Sequence, residues 1–463
     1  MSTVGLSPHA TDVAVIGAGA VGCAIASALV RAGYDVTLIE ARRDVGAGTS
    51  KANTAIWHTG FDAKPGSMEA GLVARGHRLL QERAEEMNWA LERTGALLVA
   101  WDEQQRDRLD GIVANAEAVG YHAVTRLRPD EVYAREPHLG PDVAGGLLVP
   151  DEGLLDPWSI VVGLATDAVV NGALLLRGAA VKSIDVQPGR STIVAGSHQV
   201  TARWVVNAAG LGSDIVDRMM GADGFTITPR RGQLIVFDKL ARPLLSHILL
   251  PVPTPTTKGV LVSPTVYGNV LLGPTAEDLE DRTDTATTEA GLAGLLAQGR
   301  RILPALLEEE VTATYSGLRA ATEHSDYCFT VLPAERYVRV GGIRSTGISA
   351  CLAIAEDVVA MLAEHEPAPA PLPHPVVRPA PTLAENRTRP YADEDLIARD
   401  PSYGHLVCLC ERVSAGEIRD SLDGPVAAVD VDGVRRRTRA LAGRCQGFHC
   451  GAVVTGMIEA SDG

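Results

Sequence analysis

The chain has 463 residues and a formal net charge of -15, which argues against nucleic acid or an anionic membrane surface as its main partner. Its length exceeds what one simple core requires and indicates two or three domains. The 47 glycines indicate many tight turns or close approaches of the backbone to a ligand.

The first predicted elements are a buried strand, Asp12 to Ile16, and an alanine-rich helix that runs to about Ala32. The motif Gly-Ala-Gly-Ala-Val-Gly at residues 17–22 joins them. Such glycines allow a tight turn, a close approach to a pyrophosphate and tight helix packing, and the first N–H groups of the helix face the phosphates. Residues 13–30 carry no charge and approach the length of a membrane span. The spaced glycines and the absence of a basic N-terminal region favour a strand and a helix instead.

The next strand, Asp35 to Ile39, ends at Glu40, which stands 18 residues after the last glycine of the motif. An acid at this distance is typical of a residue that accepts hydrogen bonds from an adenosine ribose. Arg42 and Arg43 are interpreted as a solvated face, because Glu40 would repel a 2′-phosphate. These features suit FAD and NAD equally, and a glycine-rich turn without a ligand is the third alternative.

The small polar stretch of residues 46–60 resembles the flavin-contacting loop of the D-amino-acid-oxidase superfamily, which includes glycerol-3-phosphate dehydrogenases and L-2-hydroxyglutarate dehydrogenases. Residues 151–157, 204–210 and 229–233 are similar to further segments of that superfamily. The resemblance implies FAD, whereas an NAD dehydrogenase with a coincidental glycine turn is the alternative. The cofactor-binding residues that it implies are Gly17, Ala18, Gly19, Ala20, Val21, Gly22, Glu40, Ala41, Thr49, Ser50, Asn53, Thr54, Val181, Ala208, Ala209, Gly210, Gly342, Ile343, Ser345, Thr346 and Gly347.

Between the two glycine junctions, residues 66–140 are predicted to be mostly helical. Short alternating runs follow from about residue 173, and a β-rich block covers residues 233–273. The proline-rich loop at residues 251–255 is interpreted as a lid or as a solvated excursion. A strand at residues 337–342 then leads through glycines into a helix. In the family this junction lies against the flavin, where N–H groups stabilise negative charge on the reduced ring.

Three residues are candidates for the chemistry. Arg319 stands where the family has an anion-binding arginine, and a guanidinium matches a carboxylate or phosphate; a structural ion pair is the alternative. Arg344 is a second candidate. His58 has three interpretations: a packing residue near the flavin, a catalytic base or substrate contact, or a covalent attachment point for FAD, as the Trp-His pair resembles relatives with that linkage. His324 and Tyr327 are weaker candidates.

One departure from the family bears on the substrate. Glycerol-3-phosphate dehydrogenases carry a second basic residue after the arginine and a Gly-Gly-Lys stretch at the flavin junction, where this sequence has Ser325 and Gly342-Ile343. A phosphate dianion would lose cationic partners. The departure therefore favours a small carboxylate, either a 2-hydroxy acid or an amino acid.

Four cysteines follow a proline-rich linker at residues 366–402. Cys408, Cys410, Cys445 and Cys450 have the spacing C-x-C, 34 residues, C-x(4)-C. Four thiolates suit zinc or iron–sulfur, and a C-x-C pair is awkward for a zinc knuckle. The pattern resembles the bacterioferritin-associated-ferredoxin-like (BFD-like) 2Fe–2S domain; zinc and no metal remain alternatives. The arginine-rich stretch at residues 434–439 is expected to offset the charge of the cluster, which relays electrons or is structural.

The expected fold is α/β. A Rossmann-like FAD-binding domain (about 10–80, 150–215 and 335–365) carries an inserted β-rich substrate domain (about 81–149 and 216–334), within a body of residues 10–365. A small cysteine-ligated helical domain at residues 403–463 follows the linker.

The expected function is that of an FAD-dependent dehydrogenase of a small anionic 2-hydroxy acid or amino acid. Glycerol-3-phosphate dehydrogenase and a non-catalytic flavin and iron–sulfur subunit are the alternatives. We expect a cytoplasmic protein without a transmembrane segment, with a quinone or redox protein as electron acceptor. A partner subunit could attach it to the membrane periphery.

Overall fold

The computed structural model describes residues 7–253 and 259–461. The proline-rich loop predicted at residues 251–255 therefore lies in part outside the described residues. In chain order the strands are β1 (Ser7–Ile16), β2 (Val36–Ile39), β3 (Ile56–Trp57), β4 (Leu91–Glu92), β5 (Ala96–Ala100), β6 (Thr125–Leu127), β7 (Gly145–Val149), β8 (Gly153–Leu155), β9 (Leu174–Leu176), β10 (Val181–Gln187), β11 (Arg190–Ala195), β12 (His198–Asn207), β13 (Thr228–Phe237), β14 (Ile248–Pro251), β15 (Leu261–Pro264), β16 (Val270–Gly273), β17 (Glu277–Asp278), β18 (Val311–Ala321), β19 (Cys328–Leu332), β20 (Tyr337–Gly341), β21 (Leu406–Cys408) and β22 (Val413–Ser414).

The helices alternate with these strands through most of the chain. They are α1 (Ala20–Arg31), α2 (Met68–Ala84), α3 (Glu103–Ala118), α4 (Pro129–Arg135), α5 (Pro157–Val170), α6 (Ser213–Met219), α7 (Glu289–Ile302), α8 (Gly347–His365), α9 (Glu394–Arg399), α10 (Ala415–Leu422), α11 (Val431–Thr438) and α12 (Gly451–Ser461). The predicted α/β class is confirmed. Among the described residues, no helix combines the length and the apolar character needed to span a membrane.

The first sheet contains the N-terminal strand. Its order is β10-β11-β12-β1-β2-β9, with β20 beside β12 and β19 beside β20. β1 pairs in parallel with β2 and β12, so that Ile16, Ile39 and Asn207 lie side by side at one edge. Residues 13–15 of β1 are buried on both faces, as expected for a parallel strand that is covered on both sides. Ligands of open α/β sheets bind at such carboxyl edges.

Helices α1, α5 and α8 pack together against this sheet, and α2 packs on α8. Two glycines allow the closest contacts. A Cβ at Gly22 of α1 would lie 1.8 Å from the carbonyl oxygen of Gly17, and one at Gly76 of α2 would lie 2.1 Å from that of Ser349. The chain can therefore pass so close to α1 and α8 only where the side chain is absent.

The second sheet has the order β17-β13-β16-β15-β14-β5-β7-β6, with β18 beside β13. The antiparallel pair β13 and β18 runs from Thr228 opposite Ala321 to Phe237 opposite Val311. Arg230 of β13 stands directly opposite Arg319 of β18. The sheet covers the carboxyl edge of the first sheet, because β18 contacts the loop that follows β2.

Two parts of the chain differ from the sequence-based expectation. Residues 66–140, predicted as mostly helical, also contain β4, β5 and β6. β5 is a fully buried Ala-Leu-Leu-Val-Ala run that pairs with β7 and β14. Strand β19 lies within residues 216–334, which were assigned to the substrate domain, yet it pairs with β20 of the first sheet. The remaining domain boundaries stay a prediction.

Residues 366–389 of the predicted linker lie along the body without a helix or strand, whereas α9 lies in the rest of it. The Leu372 N–H donates to the Arg31 carbonyl, and the Ala380 N–H donates to the Met87 carbonyl. A Cβ at Gly33 would lie 2.2 Å from the carbonyl oxygen of Ala370. These contacts bring the C-terminal module, comprising β21, β22 and α10 to α12, onto the body.

Buried ion pairs join the module to the body. Asp44 is 1% exposed and accepts hydrogen bonds from Arg436 (2.6 Å) and Arg437 (2.7 and 2.9 Å). Within the module, Arg439 pairs with Glu411 at 2.8 Å, and Lys239 of the body donates to the same carboxylate at 3.0 Å. All four arginines of residues 434–439 have carboxylate partners, because Arg435 pairs with Asp432. That this stretch offsets the charge of the cluster stays a prediction.

Candidate active site

A cavity of about 1070 Å³ extends along the carboxyl edge of the first sheet and under the second. Glu40 and Arg319 both line it, and its volume suits a dinucleotide and a substrate together. The predicted residues that line it are Gly17, Gly19, Ala20, Val21, Glu40, Ala41, Thr49, Ser50, Asn53, Thr54, Val181, Ala208, Ala209, Gly210, Gly342, Ile343, Ser345, Thr346 and Gly347, together with His58, Arg319 and Arg344. The other two predicted cofactor-binding residues, Ala18 and Gly22, do not line the cavity.

The turn after β1 has no room for side chains. A Cβ at Gly17 would lie 2.4 Å from the carbonyl oxygen of Ala208, and Gly17 has a φ of 104°. Ser50 accepts a hydrogen bond from the Ala20 N–H at 2.9 Å and so holds the following loop against the start of α1. The backbone is thus exposed to the cavity where a pyrophosphate would meet the helix N-terminus.

Glu40 is held by backbone groups of two turns, the one after β1 and its own. Its Oε2 accepts from the Ala18 N–H and its Oε1 from the Arg42 N–H, both at 2.8 Å. Burial raises the pKa of Glu40, against the opposing effect of these hydrogen bonds. The Arg42 guanidinium donates to the Ala47 carbonyl at 2.9 Å. The carboxylate is therefore fixed at the cavity with lone pairs left for ribose hydroxyls.

The second glycine junction forms the far wall of the cavity. Gly342 has a φ of 66°, and a Cβ at Gly341 would lie 2.4 Å from the Phe225 ring. No described side chain caps the first turn of α8, because the N-cap residue Thr346 donates instead to Glu69 at 2.7 Å. The first N–H groups of α8 thus face the cavity without a capping side chain, in an arrangement that suits the electronegative edge of a flavin.

The loop at residues 49–53 is fastened to β18. Thr49 donates to the Leu318 carbonyl at 2.7 Å, and Tyr315 donates to the Asn53 carbonyl at 2.7 Å. A Cβ at Gly317 would lie 2.1 Å from the carbonyl oxygen of Ala52. The loop is therefore held between the two sheets, and its residues fit FAD, which is long enough to contact both glycine junctions.

Two arginines reach the cavity from the second sheet. Arg319 donates to the Thr275 carbonyl at 3.4 Å, and no carboxylate of the described chain pairs with it. Burial, and then the charge of Arg230, lower the pKa of Arg319. Arg230 binds Asp278 through two hydrogen bonds of 2.6 and 3.0 Å. Sequence analysis missed Arg230 as a site residue, although it lies in segment 229–233, which resembles the superfamily.

Arg344 differs from Arg319 and Arg230, because its side chain binds other residues of the cavity wall. It donates to the Ser325 carbonyl at 2.7 Å and lies 3.5 Å from Glu69. His324 and Tyr327 do not line the cavity: His324 contacts the Gly224 carbonyl, and Tyr327 bonds Thr346. The catalytic roles given to His58, Arg319 and Arg344 remain predictions.

His58 is fixed at several points. Its N–H donates to Ser349 Oγ at 3.0 Å, and its carbonyl accepts from His77 Nδ1 at 3.1 Å. The His58 ring nitrogen Nδ1 lies 3.2 Å from Oε2 of Glu152, a fully buried carboxylate. Sequence analysis included Glu152 only within segment 151–157, and a resemblance between segments could not indicate which of its acids faces the histidine.

The four cysteines gather in the C-terminal module. Cys408 and Cys450 are buried, whereas Cys410 and Cys445 are partly exposed. Backbone hydrogen bonds from His449, Gly447 and Phe448 lower the pKa of Cys445. Cys445 contacts Cys410, and Cys450 contacts Cys408.

Backbone geometry makes this arrangement feasible. A Cβ at Gly443 would lie 2.3 Å from Cβ of Cys410, and Gln446 and Gly447 both have positive φ. Within the part of the chain that the structure describes, no three His, Cys, Asp or Glu side chains converge to hold a single metal ion. Two pairs of thiols surrounded by N–H donors fit a two-iron cluster better than one zinc ion.

Two family models match the chain. The FAD dependent oxidoreductase family (DAO) matches residues 12–361, and the BFD-like 2Fe-2S binding domain matches residues 406–460. The first match covers the cavity with both glycine junctions, and the second covers all four cysteines.

Individual relatives agree with these matches. A glycerol 3-phosphate dehydrogenase of Caloramator mitchellensis is 34% identical over 444 residues, which are 95% of this chain and 92% of that protein. One subunit of the anaerobic glycerol-3-phosphate dehydrogenase of Escherichia coli K12 is 25% identical over 505 residues, covering 97% of this chain and 88% of the relative. The solved L-alpha-glycerophosphate oxidase of Mycoplasma pneumoniae, with FAD bound, has a TM-score of 0.75 and 27% identity, and the match covers 79% of this chain and 97% of that one. The chain therefore belongs to the family of FAD-dependent oxidoreductases and carries a BFD-like 2Fe–2S domain at its C-terminus.

Proposed function

We propose that this chain is a dehydrogenase that oxidises glycerol 3-phosphate at its secondary alcohol. The observation that carries the proposal is the opposed pair Arg230 and Arg319, which both line the cavity. Like charges directly opposite each other on antiparallel strands destabilise a sheet, so their position at a ligand cavity supports an anion that neutralises both. A phosphate monoester carries about 1.5 to 2 negative charges at pH 7 and accepts hydrogen bonds from guanidinium groups in pairs.

The pair also accounts for the second cation that the sequence lacks shortly after Arg319. Ser325 replaces the second cation that the resemblance would place shortly after Arg319, and this favoured a carboxylate substrate. Arg230 would supply the second positive charge from the neighbouring strand. The relatives in Caloramator mitchellensis and Escherichia coli are both named for glycerol 3-phosphate, which supports the same substrate.

The chain's own groups have distinct tasks in this reaction. Bound FAD supplies the hydride acceptor, its N5 atom. Arg319 and Arg230 would hold the phosphate and so orient the alcohol carbon. His58 would take the hydroxyl proton on its ring, within hydrogen-bond reach of the bound alcohol. The first turn of α8 would stabilise negative charge at the pyrimidine end of the cofactor.

We also propose that electrons leave through the 2Fe–2S domain to a quinone or a redox protein. The relative in Escherichia coli is named as one subunit of its enzyme, which supports a partner protein for this chain and, through it, attachment at the membrane periphery. The alternative is a cluster that only stabilises the module.

A second candidate is a dehydrogenase of a small 2-hydroxy acid or amino acid. Arg319 has no carboxylate partner among the described residues, whereas Arg230 is already paired with Asp278. A carboxylate with a single charge would need Arg319 alone.

Anaerobic mixing of the holoprotein with substrates distinguishes these functions. We expect glycerol 3-phosphate to bleach the visible absorbance of the flavin and to produce the EPR signal of a reduced cluster. Bleaching by a hydroxy or amino acid but not by glycerol 3-phosphate would support the second candidate. Bleaching by no compound would support a non-catalytic role within a larger complex, and a reduced flavin beside a cluster that stays oxidised would contradict the relay.

A further inference from the structure

A buried carboxylate stands directly behind His58. Glu152, in the turn before β8, is 0% exposed. Its Oε1 accepts from the N–H of Thr59 at 2.7 Å and from the hydroxyl of Thr59 at 2.8 Å. Its Oε2 makes no hydrogen bond with the described residues and lies 3.2 Å from Nδ1 of His58. A buried charge is costly unless it is paired and hydrogen-bonded. The carboxylate of Glu152 is hydrogen-bonded to Thr59 and paired with His58.

The main chain of His58 is held on both sides. Its N–H donates to Ser349 of α8, and its carbonyl accepts from Nδ1 of His77 of α2. A carbonyl can only accept, so the proton of His77 is on Nδ1. Burial lowers the pKa of His77, and its ring stacks on Trp57 at 3.9 Å. His77 is therefore a fixed support for the main chain of His58, and Glu152 contacts the ring of His58.

We propose that Glu152 is a positioning residue for the oxidation: it accepts the Nδ1 proton of His58, directs Nε2 toward the substrate and stabilises the imidazolium that forms. The hydroxyl proton of the substrate goes to Nε2 as the carbon-bound hydrogen leaves as hydride. This is the arrangement by which a buried acid fixes the tautomer of a catalytic histidine in hydrolases, here with an alcohol as the proton donor. The inference rests on the proposed role of His58 as base.

Other ionisable groups surround the ring. His77 lies behind it on α2, and Asp62, Glu69 and Arg344 lie on the lining of the same cavity. Glu69 binds Thr346 and pairs with Arg344, so its charge is engaged on the far wall. Glu152 lies 3.2 Å from Nδ1, so its removal should change the protonation of His58.

The test compares two buried glutamates in the full-length holoprotein. Glu136→Gln is the matched control, because Glu136 is 1% exposed, lies 2.7 Å from Nδ1 of His247 and does not line the cavity. Glu152→Gln should slow flavin reduction by glycerol 3-phosphate roughly 10²-fold, the lower end of what a general base contributes, with little change in KM. The acidic limb of the pH–rate profile should move to lower pH, because the imidazolium loses its counter-charge. Glu152→Asp should recover part of the rate, and Glu136→Gln should leave rate and profile unchanged.

A second readout needs no substrate. NMR titration of ¹³C-labelled histidine, with His58 assigned by His58→Gln, should show a lower pKa for His58 in Glu152→Gln than in the wild type. If glycerol 3-phosphate failed to reduce the wild-type flavin, the proposed substrate would be lost while this titration still tested Glu152. An unchanged titration of His58, or an equal rate loss in Glu136→Gln, would overturn the proposal. Should Glu152→Gln not fold, Glu152→Asp gives a weaker form of the same comparison, because its shorter side chain keeps the charge but lengthens the contact.

Discussion

At the scale of single residues, the positive charge beside Arg319 in the cavity depends on which of two neighbouring arginines points into the cavity. Arg230 and Arg231 are consecutive on β13, and a strand sends consecutive side chains to opposite faces. Arg230 reaches the cavity, whereas Arg231 is buried and pairs with Glu277 and Asp284. Arg319, opposite Arg230, could be predicted from the resemblance. Its partner could not, because the sequence does not determine which of two adjacent arginines faces the ligand.

The first prediction concerns these two arginines. Arg319→Ala and Arg230→Ala should each raise KM for glycerol 3-phosphate by roughly 10- to 100-fold, because each removes a charge-assisted hydrogen bond of about 1.5–3 kcal/mol. Arg319→Ala should have the larger effect, since Arg230 shares its charge with Asp278. Steady-state kinetics checks this, with the exposed Arg128→Ala as control. A KM that does not change in Arg319→Ala would remove this residue from the site.

At the scale of elements, the start of α1 illustrates where sequence reasoning succeeds. The glycine motif, the acid at Glu40 and the flanking strands were all predicted, because a turn around a pyrophosphate imposes residue types at fixed spacing. Strand β5 shows the opposite. Ala-Leu-Leu-Val-Ala suits a buried helix as well as a strand, and pairing with β7 and β14 decides between them.

The second prediction uses two helical glycines. Gly22→Ala would place a Cβ 1.8 Å from the Gly17 carbonyl oxygen, whereas Gly71→Ala in α2 meets nothing within 4 Å. Gly22→Ala should therefore lose bound FAD and lower Tm, because backbone atoms cannot move aside. Gly71→Ala should keep FAD and stabilise the protein by up to about 1 kcal/mol, since alanine favours the helix. The ratio of flavin to protein absorbance and the thermal unfolding curve measure both effects, and full FAD content in Gly22→Ala would contradict the proposed packing role.

At the scale of the whole molecule, the position of the C-terminal module depends on residues that are far apart in sequence. Asp44 lies in the loop that follows β2, and it binds Arg436 and Arg437 of α11. Lys51 of the loop at residues 49–53 pairs with Asp432 at the start of α11. The module is thus attached beside the cofactor cavity, an arrangement that suits electron transfer between two redox groups.

The third prediction concerns this attachment. Asp44→Asn leaves two buried guanidinium groups without their counter-charge and should weaken docking of the module by about 3–5 kcal/mol at pH 7. Calorimetry should then resolve a separate transition of lower Tm for the module, and protease cleavage in residues 366–402 should accelerate. Asp130→Asn, which removes an exposed carboxylate paired with Arg128, should do neither. A single unchanged transition in Asp44→Asn would contradict the prediction.

The same attachment should depend on pH. Burial would raise the pKa of Asp44, but the hydrogen bonds and charges of Arg437 and Arg436 outweigh burial and hold the pKa below its usual value. A pKa that is lower in the folded state contributes stability above the unfolded value, about 3.9, and this stability is lost as the pH falls through the folded value. The difference in stability between wild type and Asp44→Asn should therefore be complete at neutral pH and shrink below about pH 4, as calorimetry over this range would show. A difference that stayed constant would contradict this linkage.

The sequence by itself determined the cofactors and the order of the parts. A turn around a phosphate requires glycines, and a cluster requires cysteines at a fixed spacing. Both requirements fall on residues that are close together in the sequence, so the sequence shows them directly. Only the tertiary structure decided which charges meet. It placed Arg230 opposite Arg319, Glu152 behind His58, and the arginines of α11 on Asp44 of the body. Such contacts join residues that are up to hundreds of positions apart, and the energy of burying a charge depends on the partner that the fold brings to it.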